Sequence, residues 1–278
     1  MTDRYTHGHH ESVLRSHRWR TAENSAGFVL AHLTPGTSLL DVGCGPGTIT
    51  VDLARRVEPG LVVGIDREPA VIEVAATSYP TAAHPNLRFV TADVYGLEFD
   101  DESFDVVFAH QVLQHLTDPV AALREMRRVV RDGGLLAVRD ADYGAFTWFP
   151  ADPVLDEWLD VYHRLTRMNR AEADGGRHLA HWVRRAGFID LVVTSSNWTY
   201  ATADERAWWG GLWADRVTAS DFATQALETG VASRAQLARF ADAFRRWANE
   251  PDGLFLVPSV EVLARRYASS STRTGRPK

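Results

Sequence analysis

The sequence predicts an α/β protein built on a doubly wound, mostly parallel sheet. Three observations carry this: short apolar runs that end in glycine or aspartate, helical stretches that alternate with them through the first half, and a glycine-rich turn directly after the first run. Strands buried on both faces read as near-continuous apolar runs, and their alternation with helices calls for right-handed crossovers between parallel strands.

The elements follow in order. An opening helical stretch over 12–33 ends at Pro35-Gly36, and Ser38-Leu39-Leu40-Asp41-Val42-Gly43 is a buried strand stopped by glycine. Thr48–Val57 carries helical spacing, 61–66 is a second strand, and 69–79 is a helix with proline in its first turn. Strands three and four fall at 87–93 and 104–110, an amphipathic helix at 119–131 closes on Asp132-Gly133-Gly134, and 135–139 is strand five. After Asp140 the rhythm changes: helices at 152–171 and 177–186, a sixth strand at 189–194, helices near 204–215, 220–229 and 234–249, then a strand-like run at 254–257. This half holds eight of the nine tryptophans, Trp148, Trp158, Trp182, Trp198, Trp208, Trp209, Trp213 and Trp247, and reads as a cap over the sheet edge where ligands bind. The implied division is an N-terminal helical segment (1–36), a core (37–200) with a helical lid around 141–175, a helical cap (201–253), a final core strand (254–268) and a disordered tail (269–278).

Composition narrows the function. A net charge of -6 gives no footprint for a polyanion, so nucleic acid is not expected as a partner. No apolar run reaches the roughly 18 residues that span a bilayer, and the N-terminus lacks an apolar signal core, which sets aside membrane insertion and secretion. The single cysteine, Cys44, excludes an internal disulfide and fits a reducing cytoplasm. The run Tyr5-Thr6-His7-Gly8-His9-His10 raises the question of a metal, as does His178-x-x-His181, but no thiols or clustered acids complete a site and none is expected.

The turn Asp41-Val42-Gly43-Cys44-Gly45-Pro46-Gly47 follows a strand and opens a helix, where glycines allow close backbone approach and the helix N-terminus leaves amide groups free. Its spacing is Gly-x-Gly-x-Gly, not the Gly-x-Gly-x-x-Gly of the dinucleotide fingerprint, and Asp41 beside it suits a cationic ligand better than a pyrophosphate. Asp66, at the end of the second strand about 20 residues on, can accept both hydroxyls of a ribose. Asp93, after the third strand, can accept from an adenine amino group. Each aspartate alone reads equally as a strand-end cap; three at successive strand ends beside the turn point to a nucleoside.

The segments Leu39-Leu40-Asp41-Val42-Gly43-Cys44-Gly45-Pro46-Gly47, Gly64-Ile65-Asp66, Thr91-Ala92-Asp93, Phe104-Asp105-Val106-Val107-Phe108 and Gly133-Gly134-Leu135-Leu136 resemble, in order, the motifs of class I S-adenosylmethionine-dependent methyltransferases, nearest the ubiquinone/menaquinone-biosynthesis-like small-molecule branch. The resemblance implies a seven-stranded Rossmann-like sheet whose antiparallel last strand is 254–257. It implies that Gly43, Gly45 and Gly47 approach the methionine part, that Asp66 binds the ribose, that Asp93 and the Val94 amide read adenine, and that the His110 carbonyl faces the methionine ammonium. Arg67 stands where many relatives carry an apolar residue, and a guanidinium can stack on the base. The same resemblance lays the N-terminal helix, with Trp19 and Arg20, across the cofactor mouth and brings Tyr5 or His9 near the acceptor.

A sulfonium methyl is already a strong electrophile, so the protein must hold a nucleophile in line, desolvate it and remove any proton it still carries. His115 is the expected general base by its ordinary pKa, with Asp142 as a second base or orienting group; helix-entry and turn-capping roles compete for them. Gln111, Gln114, Tyr143, Trp148, Trp209 and Trp213 are the further candidates for binding the acceptor, against the plainer reading that tryptophans at helical spacing pack a core. The expected activity is methyl transfer to oxygen, nitrogen or carbon of a small hydrophobic or aromatic acceptor. A nucleotide-linked oxidoreductase and a non-catalytic cofactor-binding regulator are the rivals, and a homodimer through the cap helices is the self-association considered.

Overall fold

The computed structural model describes residues 3, 5, 6, 8, 15–17 and 19–267. His9 and the 269–278 tail, both given roles above, lie outside the described residues. Within the opening helical stretch expected over 12–33, residues 15–17 are helical and two four-residue helices follow, α1 (Ala22–Ser25) and α2 (Gly27–Leu30). Thr21 and Asn24 form a capping box at the start of α1, and Ala26 leaves the helical conformation just before Gly27, so the pattern breaks where glycine weakens it.

From β1 (Leu39–Val42) the alternation runs as expected: α3 (Thr48–Val57), β2 (Val62–Asp66), α4 (Pro69–Ser78), β3 (Leu87–Thr91), β4 (Phe104–His110), α5 (Pro119–Val129) and β5 (Val130–Ala141). Asp118 caps α5 by accepting from the Ala121 amide at 2.9 Å, with Pro119 at the first helical position. A short strand β6 (Thr147–Phe149), α6 (Pro153–Met168), α7 (Gly175–Arg185) and β7 (Asp190–Tyr200) follow. The helices α8 (Ala203–Ala219), α9 (Asp221–Glu228) and α10 (Arg234–Ala248) then precede β8 (Leu254–Arg265).

Eight strands therefore stand where seven were expected. β3, β2, β1, β4 and β5 are parallel neighbours in that order, and β8 lies antiparallel beside β5. β7 covers the other edge of β8, while β6 pairs with Leu254 to Leu256 of β8 and continues the line of β5. β8 runs to Arg265, past the strand-like run at 254–257 and within the final core segment of 254–268. Pro258 sits opposite the break between β5 and β6, where its carbonyl accepts from the Asp142 amide at 3.0 Å and no ladder donor is needed.

Alternation along the strands divides the core. Leu40, Val42, Val63, Ile65, Val107 and Leu136 pack on the face covered by α5 and α7, and Leu39, Val62, Val106, Phe108 and Leu135 on the face covered by α1 to α3. A third cluster lies beyond the end of β5, where Trp158 of α6, Trp213 of α8 and Phe244 of α10 interlock with Phe255 of β8. Their ring centroids stand 4.5 Å apart for Trp158 and Trp213 and 4.9 Å for Trp158 and Phe244. The helical block is thus a packed domain half with its own core.

Candidate functional site

The strand order reverses between β1 and β4, the place where open α/β sheets bind ligands beyond the carboxyl ends of their strands. A cavity of about 180 Å³ opens there. Asp41, Gly43, Gly45, Asp66, Arg67, Asp93, Val94 and His110 all line it, so one space gathers eight of the nine residues read from sequence as cofactor contacts. Gly47 is the exception. It starts α3 with φ of 83°, and a Cβ there would stand 2.6 Å from the Phe89 ring, so it serves helix packing. Gly43, with φ of 69°, has the Val112 side chain 2.4 Å from where its Cβ would be, so the turn and the loop after β4 close on each other.

The cavity is acidic. Asp3, Asp41, Asp66, Glu68 and Asp93 line it against Arg20 and Arg67, which suits a ligand carrying positive charge. Asp41 is buried and accepts from the Thr50 hydroxyl at 2.6 Å. Burial, helped by the nearby Asp66 charge, pushes its carboxyl up to about 7. Asp66 is half-buried and braces the turn, accepting from the Gly45 and Glu68 amides at 3.1 Å each. Asp93 accepts from the Tyr95 amide at 3.0 Å. The walls between these acids are apolar: Ile65, Val71, Ala92, Val94 and Leu116.

Described residues of the segment before α1, Asp3, Tyr5, His17 and Arg20, line this mouth. Asp3 accepts from the Thr117 amide at 2.8 Å and from the Tyr95 hydroxyl at 3.2 Å, and its carbonyl accepts from Arg67 at 3.0 Å. Arg67 is thereby engaged with the strap and with Glu68. The Tyr5 carbonyl accepts from Gln225 of α9 at 3.1 Å, and the Tyr5 ring meets His115 edge-on at 4.8 Å. Burial raises the Tyr5 phenol to about 12.

His110 ends β4. Burial and the Arg20 and Arg139 charges push its imidazole well below the usual range, so it is neutral. Arg139 stands 3.5 Å from Nδ1 and can only donate, which leaves the proton on Nε2. That Nε2 is buried with no hydrogen-bond partner among the described residues. The sequence reading drew on the His110 carbonyl alone; the ring is a second polar group at the cavity wall.

Behind the cavity, toward β7 and the helical block, lies a narrow chamber of about 30 Å³. Tyr5, His17, Arg20, Gln111 and His115 line both spaces. Gln114, Tyr143 and Trp209, named from sequence, line the chamber with Trp19, Trp198, Tyr200, Trp208 and Arg216. Trp209 stacks on Tyr200 with centroids 4.3 Å apart. Arg20 holds Gln111 through a 2.7 Å bond to its amide oxygen, and Gln111 itself has φ of 54°, a strained backbone for glutamine that aims it between the two spaces.

Three assignments need correction. Trp213 lines neither space; it is fully buried among Trp158, Trp209 and Phe244. Trp148 lines neither; it stacks on Phe255 at 5.6 Å, against the same core. Asp142 lines neither, and its carboxylate is held by Arg177 of α7 through Nε at 2.8 Å, Nη2 at 2.5 Å and the backbone amide at 3.1 Å. A carboxylate so engaged ties the end of β5 to α7.

His115 reaches both spaces, but its chemistry differs from a base. The Ala141 amide donates to Gln114 Oε1 at 3.0 Å, which fixes Gln114 so that its Nε2 donates to His115 Nε2 at 3.1 Å. The proton therefore sits on Nδ1, and the lone pair a base would use is engaged. Burial and the Arg20 charge lower the imidazole to about 3. The wild-type pH–rate profile is accordingly expected to show no His115 limb in the neutral range, and a His115→Asn profile to superimpose on it after scaling. A neutral-range limb present in the wild type and lost in the variant would restore the base.

Among the described residues no group of three or more His, Cys, Asp or Glu could hold a metal, and no helix is long and apolar enough to cross a membrane.

The comparisons agree with this geometry. The family described as methyltransferase domain matches residues 33–200. An uncharacterized methyltransferase of Schizosaccharomyces pombe is 30% identical over 271 residues, covering 94% of this chain and 96% of its own. The 2-methyl-6-phytyl-1,4-hydroquinone methyltransferase of Synechocystis is 31% identical over 185 residues, 65% of this chain and 55% of its own. Among solved structures, the YcgJ protein of Bacillus subtilis superposes with a TM-score of 0.59 at 22% identity, over 89% of this chain and all of that one, a likeness of fold.

Proposed function

Since the chain belongs to the methyltransferase domain family and is a class I S-adenosylmethionine-dependent methyltransferase, we propose that the switch-point cavity holds the cofactor and that the narrow chamber beside it receives a small acceptor. The observation that carries this is the gathering of the glycine turn and the acids of three strand ends around one acidic, apolar-walled space. The residues fit the group: Asp66 offers carboxylate oxygens at a strand end, Asp41 offers negative charge beside the turn, and the buried His110 Nε2 offers a donor with no partner among the described residues. Asp66 would hold the ribose, Asp93 and the Val94 amide the adenine, and Gly43 and Gly45 the methionine end.

When bound, S-adenosylmethionine supplies an electrophilic methyl group. The chain's own residues do the rest. Gln111, fixed by Arg20, together with Tyr5 and His115 forms the passage between the two spaces, and these groups orient the acceptor toward the methyl. The aromatic walls of the chamber exclude water from the reacting pair. Arg67 and Asp3 fasten the strap over the adenine end. Much of the tryptophan-rich block serves the core behind the chamber.

Asp41 gives this reading a pH signature. A cationic ligand favours the ionised carboxylate, so cofactor affinity is expected to rise as pH increases through about 7 and to level off above it. Calorimetry in buffers of different ionisation enthalpy should record proton release on binding below that point, and Asp41→Asn should remove both effects. A wild-type affinity that is flat across the neutral range would take Asp41 out of the cofactor's reach.

A further inference from the structure

Directly opposed positions on four neighbouring strands carry polar side chains. His110 of β4 stands opposite Arg139 of β5, Arg139 opposite Glu261 of β8, and Glu261 opposite Thr194 of β7. The preceding positions on the same face are apolar, with Phe108 before His110 and Leu135 and Ala137 before Arg139. This polar row begins at the cofactor cavity, which His110 lines, and ends on β7.

The row is tightly joined. Glu261 accepts from the Thr194 hydroxyl at 2.8 Å and from the Ser196 hydroxyl at 2.6 Å. Arg139 donates to the Ser196 hydroxyl from Nε at 3.3 Å and from Nη2 at 3.2 Å, and its Nε stands 3.4 Å from the Glu261 carboxylate. Its Nη1 stands 3.5 Å from His110 Nδ1. Arg139 is 1% exposed, and the Trp198 ring lies 4.8 Å from its guanidinium and 5.7 Å from the imidazole. Trp198 is fixed in turn by its indole N–H, which donates to the Asn24 carbonyl at 2.8 Å.

A buried ion pair of this kind adds little net stability, because desolvation offsets its attraction. What it supplies here is direction. A guanidinium has no acceptor, so the Nδ1–H tautomer of His110 would set one N–H against another, and the ring keeps its proton on Nε2. Nδ1 faces Arg139 on β5, which leaves Nε2 for what the cavity holds; it is buried, and no described residue accepts from it. A methionine end carries an ammonium, itself a donor, and a carboxylate, the acceptor that such an N–H needs. Arg20, at the same cavity, adds positive charge that suits the carboxylate.

We propose that Arg139 is a positioning residue for cofactor binding: braced by Glu261 and Ser196, it holds His110 so that the ring donates from Nε2 to the carboxylate of the cofactor's methionine end. This rests on the methyltransferase reading above and adds to it the groups that recognise the amino-acid carboxylate. Arg139 does not line the cavity and acts through His110.

The test uses the full chain with S-adenosylhomocysteine and its decarboxylated analogue, S-adenosyl-3-thiopropylamine, which keeps the amine and lacks the carboxylate. The wild type is expected to bind the first at least about tenfold more tightly. Arg139→Gln and His110→Phe should each shrink that preference about fivefold or more, weakening S-adenosylhomocysteine while the amine ligand binds nearly as before. Arg139→Lys, which still can only donate, should keep most of the preference. A role confined to holding the sheet would weaken both ligands alike; that result in a folded Arg139→Gln, or a preference that survives His110→Phe, overturns the inference alone. Imidazole nitrogen NMR of the wild type, with the His110 signal assigned by its loss in His110→Phe, gives a reading that needs no Arg139 variant. A neutral Nε2–H ring whose Nε2 signal moves with S-adenosylhomocysteine and not with the amine ligand is expected, and an Nδ1–H ring overturns the inference. Failure of the wild type to bind S-adenosylhomocysteine overturns the methyltransferase reading, and this inference with it.

Discussion

Trp213→Ala is expected to lower stability by about 3 to 5 kcal/mol while leaving cofactor affinity intact below the unfolding transition. The side chain is fully buried. It packs edge-on against Trp158 at 4.5 Å, parallel to Phe244 at 5.6 Å and under the Arg216 guanidinium at 4.7 Å. Removing it opens a cavity where α6, α8 and α10 meet, in a part of the chain that the parallel sheet does not brace. Denaturant unfolding of the variant beside the wild type measures the loss. A stability change near zero, with acceptor binding abolished instead, would return Trp213 to the acceptor site from which the structure removes it.

Asp66→Ala has the largest effect expected at the site. It should weaken S-adenosylhomocysteine binding by roughly 1 to 3 kcal/mol, about 5- to 150-fold, through loss of charge-assisted bonds to a ribose. The carboxylate also braces the turn through the Gly45 and Glu68 amides, so Asp66→Asn, which keeps an acceptor oxygen, should lose less than Asp66→Ala. Titration calorimetry on the two variants separates these roles. Wild-type affinity in Asp66→Ala would take Asp66 out of the site.

The sheet was legible where a single rule governed the residues. Thr48–Val57 and Phe104–His110 fall as read, because a glycine turn and an apolar run bounded by polar residues leave few alternatives. Only the first four residues of β8 stood out as a strand-like run, because Pro258, Ser259 and Glu261 break its apolar pattern. Glu261 is accommodated by tertiary partners that the local sequence does not reveal: it accepts from Thr194 and Ser196 and pairs with the buried Arg139 at 3.4 Å. β6 was missed because three residues carry no period, and it exists only by pairing with β8.

The site divides in the same way. The cofactor cavity is built from successive strand ends, so its acids and glycines could be read in chain order. The chamber is assembled from the segment before α1, the turn after β4, the end of β7 and α8, and no local pattern joins Arg20 to Arg216 or Tyr200 to Trp209. Trp148 and Trp213 were drawn to it by residue type, since a tryptophan at helical spacing looks alike whether it faces a ligand or a core. His115 was read as a base by residue type, for a related reason: burial and the Arg20 charge lower its pKa and Gln114 engages its Nε2, none of which a local pattern shows.

The most direct test of the central claim, that the cavity between β1 and β4 holds S-adenosylmethionine, is titration calorimetry of the full chain with S-adenosylmethionine, S-adenosylhomocysteine and NAD in parallel. One-to-one binding of the first two, weakened by Asp66→Ala, with no heat from NAD is the result expected. Binding of NAD, or S-adenosylhomocysteine binding that ignores Asp66, would contradict it.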